Sequence, residues 1–206
     1  TGGFVRSNDL VDYPNIQYHF FPSLVLDHGR KTPTGHSFQA HVGPMRPTSR
    51  GEIKLKSNKP DDAPSIQFNY MQTEHDLNEM RDGIEIAREI FNQRAFDEYR
   101  GKELSPGIQE KSKESINEFI RNKGDTAYHP SCTCKMGNDE SSVVNEELKV
   151  YGIDKLRVVD ASIMPNIITG NLNAATVMIA EKASDLILKR SPLELEEHNF
   201  YRANYN

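Results

Sequence analysis

The sequence predicts an α+β fold in which a mostly antiparallel sheet carries flanking helices, followed by one further strand and helix near the C-terminus. Three observations favour it. Four short segments in the first third of the chain alternate apolar and polar residues and are joined by short polar connections, as in antiparallel strands with one face in water. Two amphipathic helical stretches come next. A branched run, Leu156–Asp160, and an apolar stretch after Asn173 complete the pattern.

The four predicted strands lie between residues 16 and 70. Residues 16–26 are rich in aromatic and branched side chains and are interrupted at Pro22. Alternation is regular in residues 37–45 and returns in residues 53–55 and 66–70. Short links between the segments favour antiparallel pairing in a single sheet.

Two helices are predicted to cover one side of this sheet. The first begins at Thr73, with Asp76 three residues later as in a weak capping box. Apolar residues then recur at steps of three and four along one face. The second helix follows Ser112 and ends at Gly124.

A third helix is predicted from Asn173 to Lys189. Its first half is apolar almost all round, so we expect it to be buried. The unpaired N–H groups and the positive dipole end of such a helix favour negative charge at its N-terminus. The alternative is an asparagine that caps an ordinary core helix.

Composition excludes several functional classes. The 206 residues carry a net charge of −5, which argues against a general nucleic-acid-binding protein. No apolar run reaches membrane-spanning length, and the start does not look like a signal peptide. The two cysteines are one residue apart, which favours a reducing, cytosolic setting. The opening at Thr1 reads as the interior of a longer protein.

The loop from Ala127 to Gly137 concentrates the reactive side chains. A neutral imidazole at His129 could accept the proton of an alcohol, or the histidine could be hydrogen-bonded inside a packed loop. Cys132 and Cys134 could bind a metal together with His129. Structural zinc takes four ligands in two separated pairs, and the sequence has no second pair. Buried, inert thiols are therefore favoured over a metal site.

Three ordered blocks resemble the C-terminal signature of the glucose–methanol–choline (GMC) oxidoreductases. They are His129-Pro-Ser-Cys-Thr-Cys-Lys-Met-Gly137, Leu156-Arg-Val-Val-Asp-Ala-Ser-Ile-Met-Pro165 and Asn171-Leu-Asn-Ala-Ala-Thr-Val-Met-Ile-Ala-Glu181. Tyr18-His19-Phe20, residues 39–43 and residues 46–51 resemble the choline-oxidising branch of the family. Cys132 departs from the pattern, since many members have glycine there.

The resemblance implies an FAD enzyme whose substrate-binding domain is an antiparallel sheet with helices. Residues 1–125 would be most of that domain, residues 126–190 would supply the active-site loop and complete the FAD domain, and residues 191–206 would form a polar tail. No G-x-G-x-x-G segment or P-loop is present. The missing N-terminal FAD-binding portion of the same protein would therefore hold most of the flavin, and this chain alone would be inactive.

The resemblance also implies roles for individual residues. His129 would be the catalytic histidine and Asn171 its partner. The flavin would be contacted by Asp160, Ala161, Asn171, Leu172, Asn173 and Thr176. A helix N-terminus at Asn173 would stabilise the negative charge of the reduced flavin ring.

Choline or a similar primary alcohol would be the substrate, oxidised to betaine aldehyde on the route to the osmoprotectant glycine betaine. His19 would be the substrate-binding histidine. Tyr18 and Phe20 are candidates for contact with a trimethylammonium group, with core packing as the alternative for each. We expect a cytoplasmic location, with membrane association of the intact protein and the electron acceptor left open.

Overall fold

A computed structural model describes residues 1–31, 33–191, 193, 194 and 196. The chain divides into two compact units, Thr1–Ala127 and a second unit that begins at Tyr128. The strands of the described chain are β1 (Gly2–Val5), β2 (Ile16–Phe21), β3 (Gln39–Pro44), β4 (Glu52–Lys54) and β5 (Ser65–Gln67). The α-helices are α1 (Glu74–Phe91), α2 (Lys113–Lys123) and α3 (Asn173–Leu188). Antiparallel sheets together with helices confirm the predicted α+β class. Most of the predicted tail, 191–206, lies outside the described residues.

The strands of the first unit form two sheets instead of the single sheet that was predicted. β1, β2 and β3 make an antiparallel three-stranded sheet in that order, while β4 pairs only with β5 among the described strands. Alternation shows which face of a strand is buried but not which neighbour it pairs with. β1 was not predicted because its two glycines have low strand propensity; it forms by pairing with β2.

One face of the three-stranded sheet packs against α1. Ile16 and Tyr18 of β2 are buried with Ala87 of α1, and Val42 of β3 packs against the same cluster. Gly83 allows this close approach, because a Cβ there would lie 2.5 Å from Val42 Cγ1. The alternate residues of β2 and β3 therefore point to the opposite face.

Both helices of the first unit begin where predicted. Thr73 accepts a hydrogen bond from the backbone N–H of Asp76, and Ser112 accepts one from that of Ser115. The apolar stripe of α1 buries Leu77 and Ile84 against α2, as the three-and-four spacing predicts.

The second unit has its own core, formed by Val144, Leu148, Ile163 and Ala183. The predicted strand at residues 156–160 is wrong for the described chain, in which this segment makes only an isolated bridge between Arg157 and Lys149. Branched residues favour an extended backbone, but a strand also needs a neighbour along its length.

The predicted burial of the third helix is also wrong. Ala183 is the one fully buried residue of α3, while Val177 and Met178 are 53% and 66% exposed. An apolar helix is buried only if another element covers it, and the described part of the second unit covers one side. Across the described residues, no helix combines the length and the hydropathy that a membrane span requires.

Candidate active site

The loop that carries His129 is held along a short 3-10 turn, Ala161–Ile163. The backbone N–H groups of Cys132, Cys134 and Met136 donate to the carbonyl oxygens of Ala161, Ser162 and Ile163, at 3.3, 2.9 and 2.7 Å respectively. Alternate residues of the loop therefore donate to three consecutive residues of the turn. Two of the three sequence blocks lie side by side through these bonds.

His129 is half-buried in the first part of this loop. Tyr128 before it has a left-handed backbone, with φ of 60°, and Pro130 after it disfavours helical geometry at the histidine. The imidazole thus projects from a segment with a fixed, non-helical path, which is the setting in which a loop side chain can be held for chemistry.

Cys132 has φ of 71°, in the left-handed region that favours glycine. In the family pattern that the sequence resembles, glycine is expected at this position, and a side chain in this conformation carries a backbone cost. Both cysteines are free thiols. Within the described ranges, no group of three or more His, Cys, Asp or Glu side chains could hold a metal ion.

Asp160 opens the 3-10 turn and accepts a hydrogen bond of 2.7 Å from the backbone N–H of Ser162. Its residue is exposed, whereas Ala161 is half-buried. The carboxylate therefore fixes the turn against which the loop is aligned and still faces solvent.

The N-terminus of α3 differs from the other two helix starts. Its N-cap residue, Leu172, makes no side-chain cap hydrogen bond, and its first turn contains no acidic residue. By contrast, Thr73 caps α1 and Ser112 caps α2, each with acidic residues in the first turn. The first-turn N–H groups of α3 and its positive dipole end are thus left for an anionic or electron-rich group.

Each sequence-predicted residue at this helix start has a defined place. Asn171 and Asn173 are exposed, and Leu172 is 5% exposed. The Thr176 hydroxyl donates to the Leu172 carbonyl oxygen at 2.9 Å. This bond ties the hydroxyl back onto the helix and leaves its oxygen lone pair able to accept.

In the first unit, the three predicted substrate residues do not share a face. The Tyr18 hydroxyl donates to the Gly83 carbonyl oxygen at 2.6 Å, and Tyr18 is 7% exposed. The ring of Phe20 lies 6.3 Å from that of Phe91 in α1. Both side chains pack against α1, so the structure supports the core alternative for them and removes them from our proposed substrate site. His19 lies between them in β2 and points to the opposite face.

Sequence reasoning missed one neighbour of His19. The antiparallel register places His41 of β3 directly opposite it, and directly opposed side chains lie on the same face. The alternation of residues 37–45 places His41 on the polar face of its strand, but the register that pairs it with His19 is not encoded in either strand alone.

A family profile described as GMC oxidoreductase matches residues 47–180. The match covers more than half of the chain and includes all three C-terminal blocks except Glu181, the last residue of the third. The chain belongs to the GMC oxidoreductase family.

Among curated proteins, the chain is 55% identical over 203 residues to an oxygen-dependent choline dehydrogenase of Pseudomonas fluorescens (strain SBW25). It is 54% identical to the protein of the same name from Pectobacterium carotovorum subsp. carotovorum (strain PC1). Each alignment covers 98% of this chain and 36% of the relative. The chain thus spans about a third of the length of the curated relatives that it matches.

Solved structures of the family share the architecture. Pyridoxine 4-oxidase from Mesorbium loti aligns with a TM-score of 0.81 at 29% identity, covering 93% of this chain and 38% of that protein. Formate oxidase aligns with a TM-score of 0.77 at 28% identity, covering 86% of this chain and 32% of that protein. The chain is similar in each case to about a third of a longer oxidoreductase.

Proposed function

We propose that this chain is the C-terminal part of an FAD-dependent choline dehydrogenase, which oxidises choline to betaine aldehyde on the route to glycine betaine. The identity of 54–55% to choline dehydrogenases over 98% of the chain supports the substrate. The observation that carries the site is the N-terminus of α3, which has an apolar N-cap residue and no acidic residue in its first turn, in the same unit as the loop that bears His129.

The residues at the start of α3 fit a flavin. A helix end with an apolar N-cap residue and no acidic residue in its first turn has N–H donors to offer and no charge that would repel a reduced flavin. Asn171, Leu172, Asn173 and Thr176 would hold the ring end, and Asp160 with Ala161 would lie along the chain that links the ring to the phosphates. The bound flavin supplies the hydride acceptor.

The proposed role of His129 is to accept the hydroxyl proton of the alcohol. An imidazole is the side chain whose ordinary pKa suits proton acceptance near neutral pH. Asn171 would hydrogen-bond the same oxygen and orient it, since an amide can donate without carrying charge. Together they would stabilise the alkoxide character that develops as the C–H bond breaks.

His19 is proposed to contribute to substrate binding. It lies on the face that α1 leaves uncovered, and β1 places Gly2 beside it. A Cβ at Gly2 would lie 2.4 Å from the Tyr18 carbonyl oxygen, so glycine allows β1 to lie this close to β2. His19 therefore stays a candidate substrate-binding residue, whereas Tyr18 and Phe20 are assigned to the core.

A second candidate is a GMC oxidase or dehydrogenase for another primary alcohol. The packing of Tyr18 and Phe20 favours it, because it withdraws two aromatic rings from the recognition of a quaternary ammonium. It is also supported by solved relatives named pyridoxine 4-oxidase and aryl-alcohol oxidase, since neither name refers to a quaternary ammonium alcohol.

A chimeric enzyme tests both candidates. This chain would replace the C-terminal 36% of the Pseudomonas fluorescens relative, and the unaltered relative would be the control. We expect bound FAD and oxidation of choline with a kcat/KM at least about tenfold above that for 3,3-dimethyl-1-butanol, the uncharged isostere. Equal use of both alcohols would favour the second candidate. Stoichiometric FAD without oxidation of either alcohol would contradict an active site in this chain.

A further inference from the structure

The uncovered face of the three-stranded sheet carries a hydrogen-bonded pair next to His19. Gln39 Nε2 lies 2.5 Å from His41 Nε2, with both residues on β3. The ring of Phe21, on β2, lies 4.8 Å from that of His41. His19, His41 and Gln39 therefore lie on one face of the sheet. Neither His41 nor Gln39 has a role in the proposed mechanism.

The direction of the hydrogen bond follows from a third contact. The backbone N–H of Val25 donates to Gln39 Oε1 at 3.0 Å. A backbone N–H can only donate, so this contact fixes which end of the Gln39 amide is oxygen. The NH2 end then faces His41, and His41 Nε2 must accept.

An accepting Nε2 means that His41 is the neutral tautomer with its proton on Nδ1. Protonation of Nε2 would place two donors against each other. In addition, burial lowers the pKa of His41 and the neighbouring His19 lowers it further. Burial, the neighbouring His19 and the hydrogen bond from Gln39 thus all disfavour an imidazolium at this position.

We propose that Gln39 and His41 are positioning residues that keep His41 uncharged beside His19, so that a quaternary ammonium alcohol is not disfavoured relative to its uncharged isostere. This inference rests on the proposed function. A cation in the substrate site would be repelled by an imidazolium on the same face. A neutral imidazole allows the cation to approach and leaves the Nδ1–H available to donate.

The groups that act on His41 are few in the described chain. His19 faces it from β2, and Gln39 flanks it on its own strand. The segment that precedes β3 contributes the Val25 N–H, and α1 packs on the other face of the sheet. The titratable group that shifts its pKa is His19, so the response to pH depends on the two imidazoles.

The experiment measures kcat/KM for choline and for 3,3-dimethyl-1-butanol between pH 5.5 and 8 in the intact FAD-loaded enzyme that carries this chain. Gln39→Leu removes the NH2 donor and allows His41 to be protonated. We expect the choline-to-isostere ratio to fall about tenfold on the acid side and to match that of the unaltered enzyme at pH 8. The isostere alone should show little change.

The double variant Gln39→Leu/His41→Asn is the matched control, because it cannot be protonated at this position. It should restore the pH-independent ratio, and bound FAD would report folding of every variant. The proposal would be overturned if the choline-to-isostere ratio of Gln39→Leu depends on pH as in the unaltered enzyme. It would also be overturned if the decrease of this ratio at acid pH persists in the double variant. If the unaltered enzyme oxidises the isostere but not choline, the proposed function fails instead.

Discussion

The Asp76 carboxylate accepts two hydrogen bonds from Thr48, one of 2.6 Å from its backbone N–H and one of 2.9 Å from its hydroxyl. The Ser49 N–H donates to the other carboxylate oxygen at 2.9 Å. Asp76 is fully buried in the first turn of α1. The carboxylate therefore fastens the segment that leads into β4 to the start of α1, instead of completing the capping box that the sequence predicts.

Replacement of Asp76 by Asn should destabilise the first unit, because an amide nitrogen would face donors where the carboxylate oxygen now accepts. We expect a loss of about 2–3 kcal/mol, seen as a lower unfolding temperature of the intact protein. Glu85→Gln, on the exposed side of the same helix, is the matched control and should change little. Equal unfolding temperatures for the two variants would contradict this role for Asp76.

The same contact makes stability depend on pH. Burial raises the pKa of Asp76, but hydrogen bonds from Ser49 and Thr48 outweigh it and hold the pKa below its ordinary value. A carboxyl whose folded pKa is depressed stabilises the fold above its unfolded pKa of about 4, and this contribution is lost as the pH falls through the folded pKa. Asp76→Asn should therefore reduce the acid sensitivity of the unfolding temperature below about pH 4.

Local signals in the sequence predicted much of the first unit. Thr73 and Ser112 begin helices because their hydroxyls satisfy N–H groups within the same turn. The partner of Asp76 could not be predicted in this way, since Thr48 lies 28 residues earlier in the chain. The division into two sheets escaped prediction for the same reason: strand pairing is a relation between distant segments.

In the second unit, the candidate site residues rest on the resemblance of three sequence blocks, and periodicity did not describe their surroundings correctly. The loop and the turn at Ala161–Ile163 are joined by backbone bonds, which leave no pattern in side-chain types. The apolar composition of α3 predicted burial, but the described neighbours cover only one side of it. The left-handed backbone of Cys132 has one signal in the sequence, which is a cysteine where the resembled family pattern has glycine.

Tyr18→Phe separates core packing from substrate binding. The variant leaves the Gly83 carbonyl oxygen without its 2.6 Å partner, which should cost about 1–2 kcal/mol of stability. Because Tyr18 faces α1, we expect the KM for choline to stay within about twofold of that of the unaltered enzyme. A large rise in KM with unchanged stability would return Tyr18 to the substrate site.

The buried hydroxyl of Tyr18 should also make the stability of the fold depend on pH in the alkaline range. Burial, aided by the charge of Glu89, raises the pKa of Tyr18 to about 12. A group with a raised folded pKa stabilises the fold fully below its unfolded pKa of about 10, and this contribution is lost as the pH rises toward 12. Unfolding temperatures of the unaltered protein should therefore fall over this range, and those of Tyr18→Phe should fall less.

Cys132→Gly tests the strain in the active-site loop. A side chain in the left-handed region costs about 1 kcal/mol, and glycine removes that cost while adding about 0.5–1 kcal/mol of unfolded-chain entropy. We therefore expect Cys132→Gly to be close to neutral. Cys132→Val should lower the unfolding temperature, because a branched side chain is disfavoured most at positive φ.

Cys134→Gly is the matched control for this prediction, since Cys134 is absent from the positive-φ residues of the described chain. Glycine at this position increases the entropy of the unfolded chain without relieving backbone strain in the folded state. Cys134→Gly should therefore lower the unfolding temperature. If Cys132→Gly and Cys134→Gly destabilise equally, the backbone of Cys132 is not strained.

His129→Ala in the intact enzyme tests the proposed proton acceptor. Loss of a positioned general base should lower kcat for choline by about 10²–10⁴, while the visible spectrum shows that FAD remains bound. Removal of a purely structural histidine would instead release flavin or lower the unfolding temperature. His36→Ala, at an exposed position of the first unit, is the control and should leave both unchanged. A decrease in kcat of less than about tenfold, with flavin retained, would exclude His129 from the rate-limiting proton transfer, because water does not replace an aligned imidazole at so small a cost.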